Sequence, residues 1–421
     1  MNSPQTQEKY DVIVIGGGAS GMMAAGVAGA RGKRVLLIEK NKRLGEKLRI
    51  TGGGRCNITN DERDIHALLS NYKSGKDFLY SPFSIFGVKE TFEFFEGRGL
   101  PLFVEARKRA FPKSEKASDV CDVLVKYLKE NNVMVLTDCA VTKLLIENKK
   151  ISQVITKKGV FEGESVVVST GGLSHPETGS TGDGFAWLSE LGHTIHEPTP
   201  TIVPLTVEES WIKELAGISI GSTDNPMKLS FFVDGKKAFA KTGKLLCTHF
   251  GLSGPLVLNS AKEVSDLLHK GVVIASIDTY PTVDQGTLEK QMIELFDQNK
   301  NKALKNVFSE LAPKGTSRVL FSLVPHIDPD LKTHSVSKEM RKDLCKLLKA
   351  LPLSISGLLG FDKAVVADGG VDIREVDTKT MRSTKIANLF LTGDMIHIDR
   401  PSGGFSLQLC WTTGYVAGKN A

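Results

Sequence analysis

Near the start of the chain, Gly16-Gly17-Gly18-Ala19-Ser20-Gly21 and the later acid Glu39 have the types and spacing to hold a dinucleotide. Gly16 allows a tight turn. Gly18 has no side chain, so backbone there can touch a pyrophosphate. Gly21 lets a following helix pack closely on a sheet, and Ala19 and Ser20 open that helix, whose free N–H groups and positive dipole end face the phosphates. Glu39 stands 18 positions after Gly21, where a carboxylate can accept hydrogen bonds from a ribose 2′-hydroxyl. A 2′-phosphate would be repelled there, although Lys40 and Arg43 soften that repulsion. A second acid, Asp394, follows Thr392-Gly393, 355 residues beyond Glu39.

Those residues need a particular frame. Val12-Ile13-Val14-Ile15 is a continuous apolar, β-branched run, as expected of a parallel strand buried on both faces. An Ala-, Met- and Gly-rich helix runs from the glycine turn to about Ala30, and Val35-Leu36-Leu37-Ile38 is a second buried strand ending at Glu39. Strand, GxGxxG, helix, strand and acid in that order make a dinucleotide site. Late in the chain, residues 388–391 read as a strand, followed by the loop Ser402-Gly403-Gly404 and a helix over 406–418. Glu39 and Asp394 must return to one sheet, so everything between them is inserted into the nucleotide domain.

Composition narrows the class. Over 421 residues, 41% hydrophobic and 24% charged content excludes a disordered, collagenous or coiled-coil chain. The formal charge of +6 comes from scattered residues; clusters such as Arg341-Lys342 with Lys346 and Lys349 read as solvated helix faces, so no nucleic-acid partner is expected. The six cysteines form no CxxC pair, which gives no support to a metal site or dithiol motif and suits a reducing compartment. There is no apolar leader and no run of 18 apolar residues, so a cytoplasmic protein without a membrane partner is expected.

The 388–418 arrangement resembles the second flavin motif of glutathione-reductase-type FAD proteins. The resemblance implies that Asp394, after Gly393, serves the ribityl chain or pyrophosphate, while the last helix, opening at Gly403, Gly404 and Phe405, points its N-terminus at the flavin. The strand 165–168 ending in Ser169-Thr170-Gly171-Gly172 is similar to the strand at which these domains pass the cofactor. Val141 matches a residue whose backbone meets the adenine, or is a core strand residue.

Longer strings are similar to the BaiN/RdsA-type NAD(P)/FAD-dependent oxidoreductases, the aminoacetone-oxidase-family flavoproteins. They are Leu48 to Asn60 (LRITGGGRCNITN), Arg109 to Ala117, Gly171 to Phe185, Thr248 to Pro255, and Asp368-Gly369-Gly370-Val371 with Thr380 to Ser383, in family order over roughly residues 10 to 419. The implied fold is α/β, a discontinuous Rossmann-like FAD domain with an inserted β-rich, barrel-like domain. The implied cofactor is non-covalent FAD, with NAD(P)H as a possible transient donor. Flavin contacts fall on Lys40, Lys47, Thr51, Gly52, Gly53, Gly54, Arg55, Cys56 and Asn57; Cys56 packs behind the ring, since no second cysteine is near it in sequence. Asp183 either caps the helix after it or meets the ligand. His249 either holds a turn or lies near the flavin, and His397 and Arg400 are candidate substrate contacts. One departure stands out: Phe405-Ser406 replaces the family's Tyr-Asn.

The domains are expected at 1–195 with 362–421, including a mostly helical excursion over 62–130, and at 196–361, strand-rich with helices near 284–298, 300–311 and 336–350. The insertion is read as a substrate lid. The function expected is hydride transfer between FAD and a small-molecule substrate, with pyridine nucleotide, amine and oxygen left open as redox partners. No side chain is singled out as an acid or base. The alternatives are a flavin-binding sensor without turnover and an FAD-using RNA-modification enzyme.

Overall fold

The structure, a computed structural model, describes residues 9–222 and 224–421. It contains two compact units, Met1–Thr199 with Val365–Ala421, and Pro200–Ala364.

The first unit is built on a seven-stranded sheet. Strand β1 (Lys9–Ile15) leads through the glycine turn into α1 (Ala19–Ala30), then β2 (Val35–Ile38) and the short α2 (Glu46–Ile50). Strands β3 (Met134–Leu136), β4 (Val141–Glu147), β5 (Lys150–Thr156) and β6 (Gly159–Val168) follow, then α3 (Asp183–Glu190). The unit closes with β7 (Ile195–Pro200), β8 (Ala367–Val371), β9 (Leu389–Leu391) and α4 (Phe405–Asn420). The sheet order is β3-β2-β1-β6-β5-β4, with β9 also on β6. The strands β3, β2, β1, β6 and β9 are mutually parallel, while β4-β5-β6 forms an antiparallel meander. The C-terminal part of β6 pairs with both β1 and β9, so the turns after Ile15, Val168 and Leu391 open at one edge. Ligands bind at such carboxyl ends in open α/β sheets.

Val12, Ile13 and Val14 are fully buried, as the uninterrupted apolar run required. The helices α1 and α4 pack together through small residues: a Cβ on Gly414 would lie 2.4 Å from the Ser20 carbonyl oxygen, and one on Gly418 2.3 Å from that of Ala24. That close approach brings the two helix N-termini to the same end of the sheet.

Within 62–130 the chain is mainly helical, but 59–60, 102–105 and 109–112 form a small antiparallel sheet absent from the sequence reading. Strand β7 pairs with β8, and a Cβ on Gly369 would sit 2.5 Å from the Cα of Pro198. That pairing keeps residues 196–199 in the first unit.

The second unit is an eight-stranded antiparallel sheet. Helices over Gln285–Gln298 and Lys338–Lys349 contribute Leu288, Met292, Phe296, Leu344 and Leu348 to its own core. The helix expected over 300–311 is confined to Leu304–Phe308, because Ala303 bridges to Lys332 and Lys305 donates its N–H to the Pro329 carbonyl.

Candidate functional site

The glycine turn separates structural from ligand-facing positions. Gly16 has φ +106°, and a Cβ on it would lie 2.5 Å from the Ser169 carbonyl oxygen. A Cβ on Gly21 would meet the Gly16 oxygen at 1.9 Å, so this glycine is needed for helix packing. A Cβ on Gly18 would meet nothing within 4 Å. This N-cap residue of α1 faces open space at the helix's positive end.

Glu39 is 7% exposed. One carboxylate oxygen accepts from the Gly17 N–H at 2.6 Å and the other from the Asn41 N–H at 2.8 Å. Burial pushes its carboxyl above the usual range, against the opposing pull of those N–H groups and Lys40. A carboxylate has about four acceptor sites, so two stay available for ribose hydroxyls. The chain before Val141 runs beside it: the Glu39 N–H donates to the Leu136 carbonyl, and the Cys139 N–H to the Glu39 carbonyl. Val141 itself begins β4 and is buried.

Lys40 and Asp183, 143 residues apart, form an ion pair at 2.8 Å, and Lys40 also donates to the Thr181 hydroxyl at 2.5 Å. Burial pushes the Asp183 carboxyl up, but these bonds bring it below its ordinary value. Asp183 is not the helix cap; Gly182 holds that position without a side-chain bond, and Asp183 opens α3.

Around the second acid the residues interlock. Asp394 forms an ion pair with Arg400, whose side chain is 2% exposed. Arg400 also donates from Nε to the Ser406 hydroxyl at 3.0 Å and from Nη1 to the Ile398 carbonyl at 2.7 Å. Read from sequence as a substrate contact, Arg400 instead spends all three nitrogens on its own loop and helix. Gly393, at φ +60°, donates its N–H to the Thr413 hydroxyl at 2.9 Å. A Cβ on Gly172 would lie 3.6 Å from that of Asp394, while the Thr170 hydroxyl donates to the Met395 sulfur. Lys47 donates to the Ser174 hydroxyl at 3.1 Å, and Gly171 lies close to its ammonium.

The GGGRCN segment is a tight coil. Gly52, Gly53 and Gly54 have φ of +59°, +66° and +86°, and a Cβ on either of the last two would meet nothing within 4 Å. The Thr51 hydroxyl donates to the Leu48 carbonyl. Arg55 lies over the Phe111 ring at 4.3 Å and is ion-paired with both Glu105 and Glu115. Cys56 is fully buried and burial pushes its thiol to about 12, so it is a packed neutral thiol. The Asn57 amide accepts the Gly404 N–H at 3.0 Å and donates to the Thr59 and Ala110 carbonyls. Gly404 presses on Thr59, where a Cβ would come within 2.3 Å of backbone. Phe405 is buried edge-on to Tyr72, whose hydroxyl donates to the Phe405 carbonyl at 2.8 Å.

The two histidine candidates separate. His397 lies tilted against His196, ring centroids 4.3 Å apart, with Asp368 at 3.9 Å from its Nδ1. His249, in the second unit, is exposed on the turn between strands Leu245–Thr248 and Gly251–Ser253, edge-on to Phe250. That turn is held by the Thr248 hydroxyl on the Gly251 carbonyl, not by the imidazole. Ser174, Ser406 and Asn60 were missed as site residues; Asn60, at the end of the LRITGGGRCNITN string, donates to the carbonyls of both Arg107 and Gly403. Tyr72 lies in the helical excursion and carries no sequence signal.

Residues 10–420 match the family model described as HI0933-like protein Rossmann domain. The chain belongs to this family. Among curated relatives, it is 29% identical over 414 residues to a 3-dehydro-bile acid delta(4,6)-reductase of Clostridium scindens, covering 97% of this chain and 98% of that protein. It is 28% identical over 417 residues to a ribosomal RNA dihydrouridine synthase of Escherichia coli, covering 98% of each. Its fold is similar to that of a flavocytochrome c3 fumarate reductase in an open conformation, with TM-score 0.54 and 16% identity over 98% of this chain and 78% of that one. A 3-ketosteroid-delta4-(5alpha)-dehydrogenase of Rhodococcus jostii gives TM-score 0.54 and 14% identity over 99% and 98%. The mixed α/β, Rossmann-type architecture read from the sequence is thereby borne out. No helix among the described residues is long and apolar enough to cross a membrane.

Proposed function

We propose that this HI0933-like chain is an FAD-dependent oxidoreductase that moves a hydride between the flavin and a carbon–carbon double bond conjugated to a carbonyl. The observation that carries the cofactor reading is the open space at Gly18, at the N-terminus of α1, beside the buried and twice hydrogen-bonded Glu39. When bound, FAD supplies two-electron chemistry at its N5. Glu39 accepts the ribose hydroxyls, the α1 N-terminus and Gly18 backbone take the pyrophosphate, and Asp394 serves the ribityl side. The N-terminus of α4 directs its dipole at charge developing on the ring.

The substrate reading comes from the relatives. One is named for reducing ring double bonds of a 3-oxo bile acid, and the other for converting uridine to dihydrouridine. In both the reduced bond is conjugated to a carbonyl, so it accepts hydride at the remote carbon and a proton at the near one. A free small molecule is the first reading for this chain. A uridine in RNA is the second, favoured by the ribosomal RNA relatives. The sequence carries one nucleotide fingerprint, so a reduced pyridine nucleotide that supplies the electrons would bind transiently, without a domain of its own; an amine-like donor is the alternative. A sensor without turnover is disfavoured by reductase and synthase relatives that align end to end.

Chromatography of flavin released from the purified protein tests the cofactor, and FMN alone would sink the reading. Anaerobic bleaching with NADH, NADPH or amines, followed by reoxidation with a 3-oxo-4-ene steroid or a uridine-containing RNA, tests the reaction. A flavin that no donor reduces, or that neither acceptor reoxidises, would refute it.

A further inference from the structure

Gly369 and Gly370, at φ +119° and +118°, let β8 be gripped from both sides. A Cβ on Gly369 would lie 2.5 Å from the Pro198 Cα of β7, and one on Gly370 2.7 Å from the Met395 carbonyl oxygen, on the loop after Asp394. That squeeze sets two imidazoles side by side, His196 of β7 and His397 of the loop, with ring centroids 4.3 Å apart. Each ring has its own carboxylate. His196 donates from Nε2 to Asp372 at 3.0 Å, and the Nδ1 of His397 lies 3.9 Å from Asp368. Both acid side chains are 6% exposed, while the His196 and His397 side chains are 43% and 27% exposed. Three hydrogen bonds from Arg374 hold the Asp372 carboxyl well below its usual range, so it stays ionised. The other charges of the loop are paired off, Asp394 with Arg400 and Asp399 with Lys73. The loop itself begins at Asp394 and ends at Arg400, whose Nε holds Ser406 in the first turn of α4. Both of its ends thus lie at the proposed flavin site, and its middle is pinned to β8 by the His397 N–H on the Val371 carbonyl at 2.9 Å. A carboxylate within about 4–6 Å favours an imidazolium and a second imidazolium beside it disfavours one, so the two rings share protons rather than titrate alone.

We propose that His397 is the general acid of the reduction and that His196 returns its proton from solvent, with Asp368 and Asp372 stabilising the charge on each ring. This rests on the reading above that the substrate is a carbon–carbon double bond conjugated to a carbonyl, and it adds the group that completes the reaction. When the remote carbon takes the hydride, the π pair moves to leave an enolate. The near carbon then bonds a proton from the His397 imidazolium, whose N–H bond breaks as the new C–H bond forms. The neutral ring takes up a proton passed on by His196, and His196, the more exposed of the two, regains its own from water. One hydride and one proton are delivered, and water is the only further reactant.

The test takes FAD-loaded protein of the native sequence, H397Q, H196Q and D368N, with melting curves, and mixes the reduced forms anaerobically with two kinds of acceptor. One is the steroid enone or the uridine-containing RNA, whichever the native protein reduces. The other is nitrocyclohexene, whose reduction stops at a stable nitronate and needs no acid. His397→Gln should slow reoxidation by the conjugated carbonyl about a hundred- to ten-thousand-fold, while sparing reduction by the donor and reoxidation by the nitroalkene. His196→Gln should slow the same step by less. A readout without turnover comes from NMR titration of the apoprotein with isotope-labelled histidine. There His397 should hold its proton more weakly in D368N, which loses the carboxylate charge, and more strongly in H196Q, which loses the competing ring. H397Q reoxidised by the conjugated carbonyl at the native rate overturns the proposal. Equal slowing with the nitroalkene also overturns it, since the ring would then serve only binding or packing. Should H397Q not fold, a His397 titration that neither D368N nor H196Q moves overturns it. Native protein whose reduced flavin neither conjugated carbonyl reoxidises refutes the double-bond reading instead.

Discussion

The Asp394 carboxylate and the Arg400 guanidinium form a closed pair at the head of α4, with the arginine side chain 2% exposed. This gives Asp394 two roles. In the proposed FAD site it offers its outer oxygen lone pairs to the ribityl side of the cofactor, and it neutralises a buried cation. Asp394→Ala should therefore do two things at once. It should weaken FAD about ten- to a hundred-fold. It should also destabilise the apoprotein by about 3 kcal/mol, since one partner of a buried pair is left uncompensated. Asp394→Asn keeps an acceptor for Arg400 and should restore part of the stability. An alanine variant with unchanged apo melting would show that Arg400 finds another partner.

Two glycines three residues apart in sequence should behave oppositely. Gly18 has φ −80° and ψ −169°, which any residue adopts, and a Cβ there meets nothing within 4 Å. Gly18→Ala should leave the apo melting curve within about a degree of the native one and cut FAD retention at least tenfold. At Gly21 a Cβ lies 1.9 Å from the Gly16 oxygen, so Gly21→Ala should unfold or strongly destabilise the unit, at a cost of about 3 kcal/mol or more. Full FAD retention by Gly18→Ala would place the phosphates elsewhere.

What was legible follows from how each element is buried. Val12–Ile15 of β1, Val166–Val168 of β6 and the whole of β2 and β9 are buried and read as unbroken apolar runs, so they and the acids after them stood out. The small sheet around Phe111 has strands of two to four residues, too short for a period to show. In the second unit, Lys236–Gly243 reads KKAFAKTG, an exposed strand whose pairing with Met227–Val233 gives little apolar signal. Ion pairs such as Lys40–Asp183 join positions far apart in sequence, so tertiary packing alone makes them visible. Arg400 was read as a substrate contact because the turn of the chain after Asp394, which folds its guanidinium back on that carboxylate, leaves no mark in the residue pattern.

The cysteines should be silent. Cys56, Cys121 and Cys247 are buried, and burial raises each thiol to about 12; Cys410 is raised to about the same value. The thiolate is the reactive form. Native protein at pH 8 should react with a disulfide reagent over hours rather than seconds, and denaturant should release six thiols. Cys56→Ala should keep flavin reduction by the donor within about twofold. A large loss of reduction in that variant, with FAD still bound, would restore a redox role for the thiol.

His193 and Glu375 give the first unit an acid-sensitive joint. The His193 side chain is fully buried; its Nδ1 bonds Glu375 at 2.9 Å and its Nε2 bonds the Ser383 hydroxyl at 3.0 Å. Glu375 also accepts from the Thr194 N–H at 3.0 Å and pairs with Lys385 at 2.7 Å, so the chain after α3 is fastened to the loop before β9. Burial alone would push the Glu375 carboxyl up, but Lys385, Thr194 and His193 hold it at about 2. Burial keeps the His193 imidazole below its ordinary range against the pull of Glu375. The signs agree. A carboxyl lower in the folded state stabilises above its unfolded value of about 4.5 and loses that contribution as pH falls towards 2. A histidine lower in the folded state takes its proton later than the unfolded chain does, so stability also falls as pH drops below about 6.5. Urea midpoints of the native protein should therefore decline in two stages on acidification. In Glu375→Gln the deficit should be about 1–3 kcal/mol at pH 7, the span for a hydrogen bond to a charged group. That deficit should shrink steadily below pH 4.5, because the native protein is then losing the charge the variant never had. A deficit that stays constant from pH 7 to pH 3 would mean that the carboxylate's charge does not hold this joint.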